Sequence, residues 1–439
     1  MTPSRKGGPR RKDETLIAAL DIGASKIACF VARLGEPGAA RGRDAGLAGG
    51  FHQSPEIIGV GCHGLPLRAR APATAGDIET GVRSAVDAAE RMAGGRVARI
   101  CIAAPGRYLR ARRIGVDMEI AGGYVAVEDV EDSLSEGARL ASPADCLTLH
   151  AAPIDFKVDG ADIMRDPVGL SGAMLSTEML GIGVRRSVLD NLSGLVERCG
   201  LKADVFAAAP YAAAEAVLLE DEKELGVVLI DIGASSTGYA VYDNGALIDA
   251  GGAPIGGGHI TKDIAQIFGA PLAHAERVKT LHGAALIGPG DEHRYLEFPQ
   301  LGVAGETARA SRADLCEVII PRMEEIFELV ARQWPEDLVR RAGLRRAVIT
   351  GGGSLLVGAR EIAERALGVK ARLGRPNHFV GAPEAAGAPG FAVAAGLIRN
   401  YVEFNGEHQS ALGAARQSAH VGERASLFGG VEAWLRAKF

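Results

Sequence analysis

The sequence lacks the features of an exported, disulfide-linked or membrane-spanning protein. Its six cysteines are scattered, and no two have the spacing of a CxxC pair, so neither a zinc knuckle nor a redox motif is predicted. No window of about 18 consecutive apolar residues is present, which argues against a helix that spans a bilayer. The basic N-terminus is not followed by an apolar signal core, so we expect no signal peptide and a reduced, cytoplasmic setting.

A strong excess of charge of one sign is also missing. The formal net charge of −5 over 439 residues gives no general attraction to nucleic acid, so we expect no nucleic-acid partner. Hydrophobic residues make up 47% of the chain, which is ample for sizeable cores. The length suggests roughly two to four structural units.

One pentapeptide occurs twice. Asp-Ile-Gly-Ala-Ser stands at 21–25 and at 231–235, each time between two short apolar runs. The pattern predicts a strand, a tight glycine turn and a second strand, once in each half of a duplicated architecture. A single turn of this kind is usually an ordinary hairpin, but its recurrence favours phosphate binding, because successive turn N–H groups can form an anion-binding nest. Aspartate oxygens are ligands that Mg²⁺ prefers, and we assign Mg²⁺ to Asp21 and Asp231. The candidate phosphate and Mg²⁺ ligands are Asp21, Gly23, Ala24, Ser25, Lys26, Asp231, Gly233, Ala234, Ser235, Ser236 and Thr237.

A third glycine cluster follows a predicted strand at 347–350, where the chain continues as GGGS. We predict a helix that begins near Ser354, with this serine as its cap. Upstream, Glu276 and Lys279 are three residues apart on one face of a predicted helix. Taken alone, the glycines fit a flexible turn and the charged pair fits a solvated ion pair. Together with the hairpins they predict contacts to a ribose and an adenine, by Glu276, Lys279, Gly351, Gly352, Gly353 and Ser354.

The order of these motifs resembles the actin and heat-shock-chaperone ATPase superfamily. Within it, DPVGLSG at 166–172, VERCGL at 196–201, EVIIPR at 317–322, AVAAGL at 392–397 and the ending WLRAKF are similar to the FtsA family. The resemblance covers about residues 15–439. It implies an α/β, actin-like fold of two duplicated halves around a nucleotide cleft, with an FtsA-type subdomain inserted in the first half. It also implies ATP and Mg²⁺ as cofactors, with slow or absent hydrolysis. The chain departs from the family at Gly238, where members usually carry an acid.

The resemblance further implies a division of the chain into subdomains. The expected pieces are a basic tail at 1–14, subdomain IA at 15–84 and 166–204, the inserted subdomain IC at 85–165, subdomain IIA at 205–254 and 341–400, subdomain IIB at 255–340, a linker at 401–423 and a membrane-targeting helix at 424–439.

The role implied by the resemblance is that of a membrane tether for the division ring. Members polymerise head to tail, bind the C-terminal peptide of the tubulin-like protein FtsZ and recruit downstream division proteins. They do so on the cytoplasmic face of the inner membrane, at the division site. The FtsZ surface is expected on subdomain IIB, near Arg312 to Arg322.

The C-terminal segment has the composition of a surface-binding helix. Apolar residues recur there at helical spacing, and basic residues outnumber the single acid, Glu432, which suits an anionic membrane. The alternative is that the stripe packs against its own domain. The basic N-terminal tail is either a solvated arm or an auxiliary lipid contact. The expected membrane-binding residues are Leu427, Phe428, Val431, Trp434, Leu435, Arg436, Lys438 and Phe439.

Other members of the superfamily are the alternatives to this function. A small-molecule kinase needs a second substrate pocket and leaves the C-terminal stripe unexplained. A chaperone ATPase needs a substrate domain after the ATPase core, and few residues remain after Asn400. Another actin-superfamily assembly protein, of the pilus or rod-shape type, is closer, but the 166–172 segment and the C-terminal ending fit the FtsA family better.

Overall fold

The computed structural model of the chain describes residues 16–33, 55–66, 73–141, 145–163, 166–302, 305–335, 344–377 and 381–401. The predicted N-terminal tail, most of the linker and the membrane-targeting segment therefore lie outside the described residues. The strands are β1 (Leu16–Ile22), β2 (Lys26–Arg33), β3 (Glu56–Gly64), β4 (Arg99–Ala104), β5 (Leu109–Glu119), β6 (Cys146–Val158), β7 (Ala161–Ile163), β8 (Met174–Arg185), β9 (Lys202–Ala208), β10 (Val227–Ile232), β11 (Thr237–Asp243), β12 (Ala246–Ala253), β13 (Tyr295–Pro299), β14 (Thr307–Ser311), β15 (Arg346–Thr350) and β16 (Lys370–Leu373). The α-helices are α1 (Ala75–Ala93), α2 (Val127–Leu140), α3 (Arg186–Arg198), α4 (Ala209–Val217), α5 (Glu220–Glu224), α6 (Gly257–Ile267), α7 (Leu272–His282), α8 (Arg312–Ala331), α9 (Ala359–Leu367) and α10 (392–401).

Two five-stranded sheets have the same strand order and the same strand directions. The first runs β3-β2-β1-β4-β9 and the second β12-β11-β10-β15-β16. In each sheet the first three strands pair antiparallel and the remaining pairs are parallel. Their central strands are nearly continuous apolar runs with few exposed residues, as expected where helices cover both faces. The predicted duplication of two α/β halves is confirmed.

Helix α1 shows how the first half closes around its core. Thr74 caps the helix reciprocally with Asp77: the Thr74 backbone N–H donates to the carboxylate over 2.8 Å, and the Asp77 N–H donates to the hydroxyl over 3.2 Å. The apolar face of α1, which includes Val82 and Val86, is buried in one cluster with residues of β1, β2 and β4. Helix α1 and strand β4 therefore both belong to the first half.

A four-stranded antiparallel sheet, in the order β5-β8-β6-β7, is inserted after β4. Helix α2 covers it, and Leu134 and Val130 of α2 are buried with Leu175 and Met179 of β8. The predicted bounds of this insertion, 85–165, do not match the sheet. Residue 85 lies inside α1, and β8, the last strand of the inserted sheet along the chain, ends only at Arg185. The inserted strands instead begin at Leu109, after the whole of α1 and β4, and the PVGLSG segment lies between two of them and not at their end.

The second half carries its own addition between β12 and β15. Helices α6, α7 and α8 pack together beside the two-stranded sheet β13-β14, and Phe298, Leu315 and Ile319 are buried among them. This unit continues the core of the second sheet, since the same cluster includes Val228 and Ile230 of β10. Its position makes α6 and α7 neighbours of the β10–β11 hairpin.

Helices α4 and α10 lie where the chain passes between the halves. Helix α4 follows β9 of the first sheet, and α10 packs so closely against it that a Cβ on Gly396 would come within 1.6 Å of the Ala212 carbonyl oxygen. The last described residue, Tyr401, donates its hydroxyl to Asp204 of β9 over 2.6 Å. Within the described residues, no helix combines the length and apolar character needed to cross a bilayer.

Candidate functional site

The two predicted hairpins are present and have the same turn geometry. The Gly23 N–H donates to the Lys26 carbonyl over 3.0 Å, and the Gly233 N–H donates to the Ser236 carbonyl over the same distance. In the described part of the chain, the N–H groups of the two residues after each glycine have no acceptor; they are Ala24, Ser25, Ala234 and Ser235. Each turn therefore offers unpaired backbone donors of the kind that bind anions.

An aspartate is the penultimate residue of the strand before each turn, and the Asp21 carboxyl acts on the Asp231 carboxyl. Desolvation in the cleft raises the pKa of Asp21 to about 6, against a smaller lowering effect of Lys26. Desolvation, followed by repulsion from Asp21, raises the pKa of Asp231 to about 7. Two partly desolvated carboxyls near one lysine form a place where a hydrated cation would relieve the repulsion. Within the described residues, no group of three or more His, Cys, Asp and Glu side chains forms a metal cluster.

The third glycine cluster lies directly against the second hairpin. Gly351 has φ +82°, and a Cβ at this position would come within 2.3 Å of the Asp231 Oδ1 atom. A Cβ on Gly353 would come within 2.4 Å of the Ile232 side chain. The glycines thus let the backbone of this turn approach the end of β10, which a side chain would prevent.

Two predicted hydroxyl roles need correction. The helix predicted to begin near Ser354 does not: Gly352–Leu355 form a 3₁₀ turn, α9 begins only at Ala359, and the Ser354 hydroxyl donates to the Gly351 carbonyl over 2.7 Å. The Thr237 side chain is fully buried, and its hydroxyl donates to the Ile255 carbonyl over 2.8 Å. Both hydroxyls therefore hold the loops in shape and do not face the cleft.

Helix α7 faces the site through the charged pair that the sequence pattern indicated. The Lys279 Nζ atom lies 2.6 Å from Glu276 Oε2 and also donates to the Gly257 carbonyl over 3.1 Å. Gly257 begins α6 and donates its own N–H to the Gly233 carbonyl over 2.9 Å. The pair on α7 is therefore connected to the second hairpin through the first turn of α6.

Three contributions were missed by the sequence argument. The Lys26 Nζ atom lies 3.9 Å from the ring centroid of Phe391, next to Gly390, so the first hairpin touches the segment before α10. The Arg107 guanidinium donates to the Ser235 hydroxyl over 2.9 Å. The glycine run at 256–258 forms the link between the second hairpin and α6. Only this last feature had a visible signal, three consecutive glycines.

The duplicated sheets and the cleft between them define the class of protein as actin-like. Among solved structures, that of a PilM–PilN type IV pilus biogenesis complex matches with a TM-score of 0.58, at 18% identity, over 90% of this chain and 99% of that chain. MreB5 of Spiroplasma citri bound to ADP matches with a TM-score of 0.51, at 13% identity, over 90% and 98%. At these identities the matches establish the fold alone.

Sequence comparison gives the family. The profile of the cell division protein FtsA matches residues 228–396, that of the SHS2 domain inserted in FtsA matches 106–182, and that of the pilus assembly protein PilM matches 170–284. FtsA of Agrobacterium fabrum is 32% identical over 395 residues, covering 88% of this chain and 87% of the relative. FtsA of Escherichia coli is 31% identical over 441 residues, covering 97% and 99%. The chain belongs to the FtsA family of cell division proteins.

Proposed function

We propose that this actin homologue binds ATP with Mg²⁺ in the cleft between its two halves. The observation that supports this most strongly is the convergence of two anion-binding hairpins, the glycine turn at 351–353 and the α7 pair around Asp21 and Asp231. The phosphates would accept from the hairpin N–H groups, from Ser25, Ser235 and Ser236, and from Lys26. The ribose and adenine would lie between the α7 pair and the glycine turn.

The residues present fit such a ligand. The glycine turn leaves a surface without side chains beside Asp231, and unpaired N–H groups point from both hairpins. Bound Mg²⁺ would neutralise phosphate charge, and Asp21 and Asp231 would hold it through oxygen atoms or retained waters. Binding of the cation favours the ionised carboxylates, so it opposes the desolvation that raises their pKa values. The structural relative that carries ADP has the same fold.

Nucleotide binding is tested by titration calorimetry with Mg²⁺-ATP and the Lys279→Ala variant. Arg277→Ala is the matched control, because Arg277 is an exposed residue of the same helix. We expect Lys279→Ala to weaken affinity by about tenfold, the usual effect of losing one charged hydrogen bond, and Arg277→Ala to change it by less than about twofold. A wild-type protein that binds no adenine nucleotide would refute the proposal.

We further propose that the groove between α6 and α8 binds the C-terminal peptide of FtsZ. The groove has a volume of about 710 Å³ and combines apolar residues with several acids; its lining is Asp263, Gln266, Ile267, Phe268, Asp314, Glu317, Val318, Pro321, Arg322 and Glu325. Arg322 is held by both carboxylate oxygens of Asp263, at 2.6 and 3.0 Å. Arg322 also pairs with Glu325, but the four acids of the lining outnumber this one arginine, which favours a peptide that presents apolar and basic residues. The region expected near Arg312 to Arg322 overlaps this groove, although Arg312 itself is paired with the buried Asp291.

Peptide binding is tested by fluorescence anisotropy with a labelled FtsZ tail. Ile267 is 62% exposed in the groove, and Leu281 is equally exposed on α7 outside it. Because both side chains face solvent, Asp replaces either without disturbing a core. We expect Ile267→Asp to weaken binding by at least about tenfold and Leu281→Asp to leave it within about twofold. Equal affinities for the two variants would place the peptide elsewhere.

The membrane part of the proposal depends on the sequence of residues 424–439, which lie outside the described residues. An amphipathic helix with Trp434 and Phe439 on its apolar side would attach reversibly to anionic lipid, and head-to-tail polymerisation would strengthen attachment through avidity. The protein would then hold FtsZ at the cytoplasmic face of the inner membrane, at the division site, and recruit downstream division proteins.

Liposome co-sedimentation tests the tether directly. The full chain and a truncation that ends at Gly422 are compared, with and without ATP and FtsZ. We expect only the full chain to pellet with anionic liposomes and to carry FtsZ with it. If both forms stay in the supernatant, the apolar stripe is packed against its own domain and the tether proposal fails.

A further inference from the structure

Arg107 reaches across the cleft from the first half to the second hairpin. It lies in the 3₁₀ turn Gly106–Tyr108, between β4 of the first sheet and β5 of the inserted subdomain. Its Nη1 atom donates to the Ser235 hydroxyl over 2.9 Å, and its Nη2 atom donates to the Tyr108 hydroxyl over 3.0 Å. The guanidinium carbon lies 4.7 Å from the centroid of the Tyr108 ring. All of these partners are neutral.

In the part of the chain that the structure describes, the charge of Arg107 has no carboxylate partner. Within the described residues no ion pair involves Arg107, although it is half-buried. Other arginines that are also partly buried do have acidic partners: Arg312 pairs with Asp291 and Arg322 with Asp263. A guanidinium is always charged and is matched in geometry to carboxylate or phosphate. An anion is therefore the partner that the guanidinium lacks among the described residues.

The backbone around Arg107 is fixed in place beside the second hairpin. A Cβ on Gly106 would come within 2.7 Å of the Gly251 carbonyl oxygen and 3.1 Å of the Gly238 Cα atom. A Cβ on Gly252 would come within 2.9 Å of the Gly106 carbonyl carbon. Backbone therefore packs on backbone here, and the fold brings the guanidinium to the Ser235 side chain of the turn whose Ala234 and Ser235 N–H groups are unpaired.

We propose that Arg107 is a phosphate-binding residue that completes the second hairpin from the opposite half of the molecule. A phosphate oxygen bound at the hairpin N–H groups would accept from the guanidinium, with the Ser235 hydroxyl as a shared neighbour. Because Arg107 stands where the chain leaves the first sheet for β5, the same contact would connect the bound nucleotide with the inserted subdomain. This inference rests on the proposed nucleotide site.

The test uses the full chain, with Arg107→Gln as the variant and Arg110→Gln as the control. Glutamine keeps a donor for Ser235 but removes the charge. Arg110 is an exposed residue of β5 whose guanidinium donates to the neighbouring Leu109 carbonyl over 3.0 Å. Affinity for Mg²⁺-ADP and for a non-hydrolysable Mg²⁺-ATP analogue is measured by calorimetry, together with the thermal unfolding midpoint without nucleotide.

We expect Arg107→Gln to weaken the binding of at least one of the two nucleotides by about 10–100-fold, which is the usual effect of losing a hydrogen bond to a charged group. The control should stay within about twofold, and both variants should keep the nucleotide-free unfolding midpoint within about 2 °C of wild type. Unchanged affinity of Arg107→Gln for both nucleotides overturns the inference and leaves the nucleotide site standing. If Arg107→Gln lowers the unfolding midpoint and weakens the binding of both nucleotides in proportion, Arg107 has a structural role and the inference is also overturned. If wild type binds neither nucleotide, the proposed site and the inference fail together.

Discussion

Replacing Asp231 by asparagine should stabilise the nucleotide-free protein. The carboxyl of Asp231 has a pKa of about 7, compared with an ordinary value of 3.8, because it is desolvated and faces Asp21. Holding it ionised at high pH therefore opposes folding by about 4 kcal/mol. Asparagine keeps the shape of the side chain and cannot ionise. The pKa already includes the attraction to Lys26, so we expect a gain of about 3–4 kcal/mol in the free energy of unfolding at pH 8.

The effect should depend on pH in a defined direction. Asp231 binds its proton more tightly in the native state than in the unfolded chain, so the native state is favoured most at low pH. This contribution is lost as the pH rises from about 4 to about 7, the two pKa values of the carboxyl. At pH 5 the native carboxyl is largely protonated and resembles asparagine. The unfolded carboxyl is already ionised at pH 5, so the difference between variant and wild type should shrink to about 1–2 kcal/mol and not to zero.

Urea unfolding at pH 5 and pH 8, without nucleotide or Mg²⁺, measures both values. Asp87→Asn is the control, because Asp87 is an exposed residue in the middle of α1, and it should change stability by less than about 0.5 kcal/mol at either pH. A variant that is destabilised at pH 8, or stabilised equally at both pH values, would contradict the reasoning. If Asp231 also holds Mg²⁺, the stabilised variant should gain less from Mg²⁺-ATP than wild type does.

Two further substitutions test other parts of the structure. Gly351→Ala should lower the free energy of unfolding by about 2–4 kcal/mol and abolish nucleotide binding, because it combines a left-handed φ with a clash against Asp231. Gly352→Ala, with open space at its Cβ, should be tolerated, and a neutral result for Gly351→Ala would contradict the geometry. Lys223→Met should lower the free energy of unfolding, measured with a chemical denaturant, by about 3–5 kcal/mol. The reason is that the buried Glu215 carboxylate loses the ammonium group that lies 2.9 Å away. A change below about 1 kcal/mol would show that water enters there.

The hairpins could be predicted because their signal is local. A strand, a glycine turn and a strand lie within one continuous segment, 16–33 in the first copy and 227–243 in the second. The repeat of Asp21–Ser25 at 231–235 predicted the second copy and, with it, the duplication. The pair of Glu276 and Lys279 on α7 was likewise predictable from spacing along one helix. The family resemblance then implied the actin-like arrangement of the two halves and the inserted subdomain, which local patterns do not contain.

The parts of the site that were not predicted from the sequence depend on contacts between segments that are far apart along the chain. Arg107 is 128 residues from Ser235, and nothing around Arg107 in the sequence indicates that the two meet. The contact of Lys26 with the Phe391 ring has the same character. Ser354 was misjudged because serine after glycine is a common helix cap, whereas here its hydroxyl satisfies the Gly351 carbonyl of a 3₁₀ turn. Local sequence patterns indicate such preferences, but they do not indicate which hydrogen-bond partner a side chain finds in the folded protein.

The close crossing of α4 and α10 has a mechanical consequence. With the Gly396 position pressed against the Ala212 carbonyl, the two helices cannot move closer together, and the Tyr401 hydroxyl fixes the end of α10 to Asp204 of β9. Any residue larger than glycine at position 396 would therefore force α10 away from α4 and strain the contact of Tyr401 with Asp204.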